Sequence, residues 1–187
     1  MRISISTLAA AVATLGLSVL AAAPVAAQSS GQTLGYVVAH GADGPGCADG
    51  PFHPNVTATA VGGKMQLWGC GSFETASKSA DGGGGYLQTD ATGNVSGGSW
   101  IALKLLRFQS YGGSEEFEGL VFQGGVASFL VHLSPSSGGA GSDAVLEVHC
   151  TDPGDPPPGV HEGFRLAVQG GPNYNQELSG ETGFFTG

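Results

Sequence analysis

The stretch Ser99-Trp100-Ile101-Ala102-Leu103-Lys104-Leu105-Leu106-Arg107-Phe108-Gln109-Ser110-Tyr111 decides the fold class. At period two, Trp100, Ala102, Leu106, Phe108 and Ser110 fall on one side, interrupted by Lys104. Ile101, Leu103, Leu105, Arg107 and Gln109 fall on the other. A helical period leaves no clean polar stripe. Gly97-Gly98 precede the stretch and Gly112-Gly113 follow it, which places a turn at each end. The reading is a long, central, mostly buried β-strand around which the other strands are laid.

Working outward, the same grammar repeats. Residues 33–39 read as a first strand. Residues 56–61 and 64–76 read as a hairpin whose second arm carries Trp68, Cys70 and Phe73. Asp81-Gly82-Gly83-Gly84-Gly85 reads as a flexible turn, because four glycines lack side chains to pack. Beyond Tyr111, residues 117–122, 126–133, 144–150, 164–168 and 178–185 are strand-like. The segment holding Pro153 and Pro156-Pro157-Pro158 cannot join a ladder. Short strands joined by Gly-rich turns predict one antiparallel β-sandwich or β-barrel domain of about eight to ten strands.

The chain has 187 residues and 34 glycines, with 6 Lys and Arg against 15 Asp and Glu, a formal charge of −9. An acidic surface repels phosphate backbones, so nucleic acid is not an expected partner. Arg2, an uncharged apolar run over residues 8–23 and Val25-Ala26-Ala27 before Gln28 have the form of a cleavable signal peptide. The expectation is a signal peptide over residues 1–27, one all-β domain over residues 28–187, and a secreted or periplasmic location without stable membrane insertion. Three cysteines, Cys47, Cys70 and Cys150, allow one disulfide and one thiol in three pairings, or three unpaired thiols. No Cys-x-x-Cys supports a zinc or redox motif.

The run from Gly98 through Tyr111 to Gly112 resembles a motif of small exported bacterial β-rich proteins that form an uncharacterised family. So do His132-Leu133-Ser134-Pro135, the strand ending at Cys150, and Pro156 to Gly159 through Phe164, Asn173-Tyr174-Asn175 and Ser179-Gly180. The resemblance covers roughly the C-terminal half. It implies export and a β-rich fold, and it brings no activity and no catalytic residue.

Chemistry-bearing residues are sparse. His132, Glu147 and His149 on two consecutive strands, with His161 beyond, are the candidates for a divalent metal, since imidazole and carboxylate suit zinc. The alternation of Phe129, Val131 and Leu133, and of Leu146, Val148 and Cys150, assigns the inward faces. The face of Ser128, His132, Glu147 and His149 is then expected to lie in solvent and to hold no metal. Glu115, Glu116 and Glu118 form an acidic turn rather than carboxylates facing across a cleft. Asp43, Asp49, Asp152 and Asp155 match no calcium loop. No nucleophile elbow or phosphate loop occurs, and no catalytic residue or cofactor is assigned. Trp68, Tyr86, Tyr111 and Tyr174 are the candidate ligand-binding residues, as a stacking surface, with Trp100 assigned to the core.

These readings favour an exported, non-enzymatic β-domain that binds an unknown small molecule, glycan or protein, or has a surface-structural role. Two alternatives stand beside it. One is a small β-barrel enzyme of isomerase or cyclase type with its site in the barrel mouth; the other is a carbohydrate-binding module.

Overall fold

The computed structural model describes residues 31–38 and 55–186, which form strands and no helix. The strands are β1 (Thr33–Val38), β2 (Asn55–Ala58), β3 (Lys64–Glu74), β4 (Ala80–Thr89), β5 (Val95–Phe117), β6 (Leu120–Pro135), β7 (Ser142–Cys150), β8 (Gly163–Val168), β9 (Asn173–Tyr174), β10 (Gln176–Ser179) and β11 (Thr182–Thr186). All lie in one antiparallel sheet, so the all-β antiparallel reading holds. The signal segment, Cys47, Asp43, Asp49 and the end of the first predicted strand at Ala39 lie outside the described residues.

The ladder closes on itself. β3 pairs with β4, β4 with β5, β5 with β6, β6 with β11, β11 with β1, and β1 with β3. β3 and β6 each serve two neighbours along one edge. Residues 64–67 of β3 pair with β2 and residues 69–74 with β1. Residues 121–123 of β6 pair with β11 and residues 125–133 with β7. From there β7 leads to β8 and β9, while β10 returns to β2, so Asn175 alone separates pairing with β8 from pairing with β2.

The stretch that decides the fold class is longer than its sequence outline, and its side-chain phase differs. β5 extends to 23 residues. Its pairing with β6 shifts between Ala102 and Lys104 and again between Leu105 and Arg107. Each bulge adds a residue and turns the following side chains to the opposite face. Trp100, Ala102, Leu105 and Phe108 are therefore buried, while Leu106, assigned by strict alternation to the Trp100 side, is exposed.

Asp81 to Gly85 are not a turn. They form the first half of β4, paired with β3 throughout and with β5 from Gly83 onward. The glycines are required by crowding. A Cβ on Gly84 would stand 1.9 Å from the Trp68 carbonyl oxygen, and one on Gly83 would stand 2.2 Å from that of Trp100. Trp68 lies over Gly85 and fills the space a side chain there would take, as aromatic residues do above strand glycines.

The inside of the circuit is solid. Tyr36 stacks at 4.8 Å from Phe129, Phe73 at 5.2 Å from Phe108, and Phe108 at 5.4 Å from Phe184, all buried. Tyr36 donates its hydroxyl hydrogen to the Asp81 carbonyl (3.0 Å). Burial raises its pKa well above the usual phenol range, with the Asp81 charge adding to the effect. Cys70 is disulfide-bonded, whereas Cys150 is a free, buried thiol whose pKa burial pushes up to about 11.

Candidate functional site

Two groups of polar side chains stand at opposite ends of the long strands. The first surrounds an opening of about 180 Å³. Register brings its walls together: Met65 faces Gln88, Leu133 faces Ser142, and Ala144 faces Val168. Met65, Leu133 and Val168 supply apolar surface, and Tyr86, Gln88 and Ser142 supply the polar atoms. No charged side chain lines the opening among the described residues.

Tyr86 is 7% exposed and Tyr174 1% exposed. Tyr174 is placed by β9, whose pairing sets it opposite Leu166. Desolvation raises the pKa of both phenols, and the charge of Tyr86 raises that of Tyr174 further, so the two rings are electrostatic neighbours. Among the described residues the buried side-chain atoms without a hydrogen-bond partner are Arg165 Nε and Glu177 Oε1, not these phenol oxygens.

The second group lies on the outer face of β7. His149 Nε2–H donates to Glu147 Oε1 (2.8 Å), which leaves Nδ1 to accept from the Tyr111 hydroxyl (3.3 Å). Ser128 donates to Glu147 Oε2 (3.3 Å), and Arg107 approaches the same oxygen at 3.6 Å. Arg165 pairs with Glu177 Oε2 at 3.1 Å, while Glu177 Oε1 stands 4.0 Å from His149 Nε2. The hydrogen bond from His149 holds Glu147 below the usual carboxylate range, against the opposing effect of burial. Burial raises the Tyr111 pKa, with the Glu147 charge adding to it. Thr182 donates to the His149 carbonyl oxygen (2.5 Å) and ties β11 to the cluster.

This arrangement corrects the expectation of a solvated face. Ser128 and His149 are buried: Tyr111 on bulged β5 and Glu177 on β10 stand against His149, and Glu147 against Ser128. His132 is elsewhere. It pairs with Asp143 at 2.7 Å, whereas His149 faces Val126, so about 20 Å of strand separates the two imidazoles. The metal candidates His132, Glu147 and His149 thus do not converge. No group of three or more His, Cys, Asp or Glu is placed to hold a metal among the described residues.

The four aromatic candidates do not form one stacking surface. Trp68 packs on Gly85, Tyr111 joins His149, Tyr86 lines the opening, and Tyr174 is buried in the core. Glu115 and Glu116 are not in a turn: they are exposed ladder residues at the end of β5, paired with Phe122 and Val121, and only Glu118 stands in the β5–β6 turn. Gln88, Ser142, Arg165 and Glu177 escaped the sequence reading. Period two does put Gln88 beside Tyr86, but Arg165 and Glu177 meet His149 only through strand pairings that no local pattern encodes.

No helix among the described residues is long and apolar enough to cross a membrane. Comparison of the chain with protein-family models, with curated proteins and with solved structures returns no match, so the site is read from its own geometry.

Proposed function

We propose that this chain is an exported, non-enzymatic β-domain that binds a small ligand at the end bearing Tyr86, Gln88 and Ser142. One observation carries the reading: the acid–base groups and the opening are at opposite ends. His149 pairs with Glu147 and Arg165 with Glu177, with Arg165 Nε and Glu177 Oε1 left buried without a hydrogen-bond partner, and the opening is lined by uncharged residues. General acid–base chemistry needs a titratable group within hydrogen-bond reach of the bound molecule. The aromatic interior leaves the circuit no central chamber for a substrate, which also weighs against a barrel enzyme.

Screening residues 28–187 against a fragment library of mixed charge tests the reading. Thermal unfolding reads binding, and mass spectrometry of the recovered fragments reads turnover. The expected outcome is a raised melting temperature with fragments recovered unchanged. A chemically altered fragment would establish an enzyme, and a library without a single stabilising fragment would contradict small-ligand binding.

A further inference from the structure

We infer that two copies of this chain associate about a two-fold axis along β5, the acidic tip of the β5–β6 hairpin in one copy docking on the basic and apolar middle of β5 in the other. This surface is separate from the opening beside Tyr86 and does not depend on that opening binding a ligand.

The middle of β5 lies on a free strand edge. β4 pairs with β5 only as far as Ile101, and the Lys78 carbonyl accepts the N–H of Leu105. From Leu106 to Phe117 the strand pairs with β6 alone among the described residues, and such an edge is a template for association. The two bulges shape what it presents. At each, two consecutive side chains lie in solvent where a regular strand would alternate: Leu103 with Lys104, then Leu106 with Arg107. Two apolar side chains, Leu103 at 45% exposure among them, and two cations thus stand together on a chain that carries 6 Lys and Arg against 15 Asp and Glu. The far end of the same strand has the complementary character. Glu115, Glu116 and Glu118 are exposed there, and Phe117 between them is 56% exposed. Lys104 and these glutamates make no ion pair among the described residues. Antiparallel alignment of β5 with its own copy brings the two ends together. With the axis at Tyr111, Lys104 stands opposite Glu118 and Arg107 opposite Glu115, so one midpoint serves both pairs. Phe117 then falls opposite Leu105, between the exposed Leu103 and Leu106. Each contact occurs twice, and a two-fold contact closes at two copies. A single exposed ion pair is weak, so the association draws on the doubled charge pairs together with the apolar area covered.

Sedimentation velocity of residues 28–187 from about 10 µM to about 1 mM tests the dimer, at about 0.15 M salt, where a Debye length of about 8 Å screens the net negative charge of each copy. The wild type is expected to pass from monomer to dimer and no further. Lys104→Glu and Glu118→Lys each set like charges opposite one another twice per dimer. Each should weaken association about tenfold or more, with the circular dichroism of the strands unchanged because both positions are exposed. An equimolar mixture of the two variants restores opposite charges at both contacts and should dimerise as the wild type does. A wild type that stays monomeric, single variants that dimerise like it, or a mixture that stays monomeric would overturn the proposal. Growth to higher oligomers would overturn it too, since a two-fold contact closes.

Discussion

The indole N–H of Trp100 on β5 donates to the carbonyl oxygen of Trp68 on β3, 2.9 Å away, although β4 runs between those two strands. The indole reaches that carbonyl because β4 presents glycine at the crossing. Gly84 is the Cα partner of Trp100 on one side, and Gly85 the partner of Trp68 on the other. Gly69 contributes as well: its φ of +150° and a contact to the Trp100 ring at 2.8 Å from an added Cβ exclude a side chain. The glycines look like a flexible linker in sequence and serve as the seat of the largest buried side chain.

Gly84→Ala should therefore be severely destabilising. Its Cβ would meet backbone, which cannot swing aside as a flexible side chain can, so a cost of about 3 kcal/mol is expected. For a domain of this size that lowers the melting temperature by about 6–12 °C. Val95→Ala, at an exposed position of β5, should move it by less than about 2 °C. Thermal unfolding followed by circular dichroism checks both, and a Gly84→Ala protein melting with the wild type would show that β4 is free to shift.

The glycine run marks where the sequence was legible and where it was not. Strand identity follows from alternation and from Gly-bounded segments, and those local signals placed β3, β5 and β7; they split β6, because the segment 117–122 reads as one strand yet spans the turn at Glu118-Gly119, and β6 runs unbroken through Gly124-Gly125. The function of Gly82 to Gly85 depends on Trp68 and Trp100, which are distant along the chain, so no local window contains the reason. The burial of His149 is hidden for the same cause: Glu177 is supplied by β10 and Tyr111 by a bulged segment of β5. Tyr86 and Tyr174 were visible as aromatic candidates, but the burial of Tyr174 in the core depends on the pairing of β9 with β8.

The bulges in β5 make a sharp contrast between neighbours. Leu105→Ala should cost about 2–5 kcal/mol, because Leu105 is fully buried. Leu106→Ala should cost no more than about 0.5 kcal/mol, since Leu106 is 43% exposed. Urea unfolding of the two variants measures this. Strict alternation would give the reverse order, and observing that order would remove the bulges.

Acid should weaken the fold partly through Glu147. Its folded pKa is depressed, chiefly by the hydrogen bond from His149, so its stabilising contribution is present above the ordinary Glu value of about 4.3. That contribution is lost as pH falls through the lower folded value. Asp90 and Glu74, also depressed, by hydrogen bonds within their own turns, add a background of the same sign. His149→Gln should flatten the fall in unfolding free energy below about pH 4.5 without removing it. Parallel stability–pH curves for the two proteins would separate Glu147 from His149.

Among the described residues the ring of strands is filled with aromatic side chains, and an opening lies beside Tyr86. Xenon occupies apolar cavities and leaves close-packed interiors alone. Amide and methyl spectra recorded under xenon pressure test the claim most directly. Shifts are expected at Met65, Leu133 and Val168 around the opening, and none at Val37, Phe73 or Phe129. Xenon shifts centred on Phe73 and Phe129 would reveal an interior chamber and contradict it.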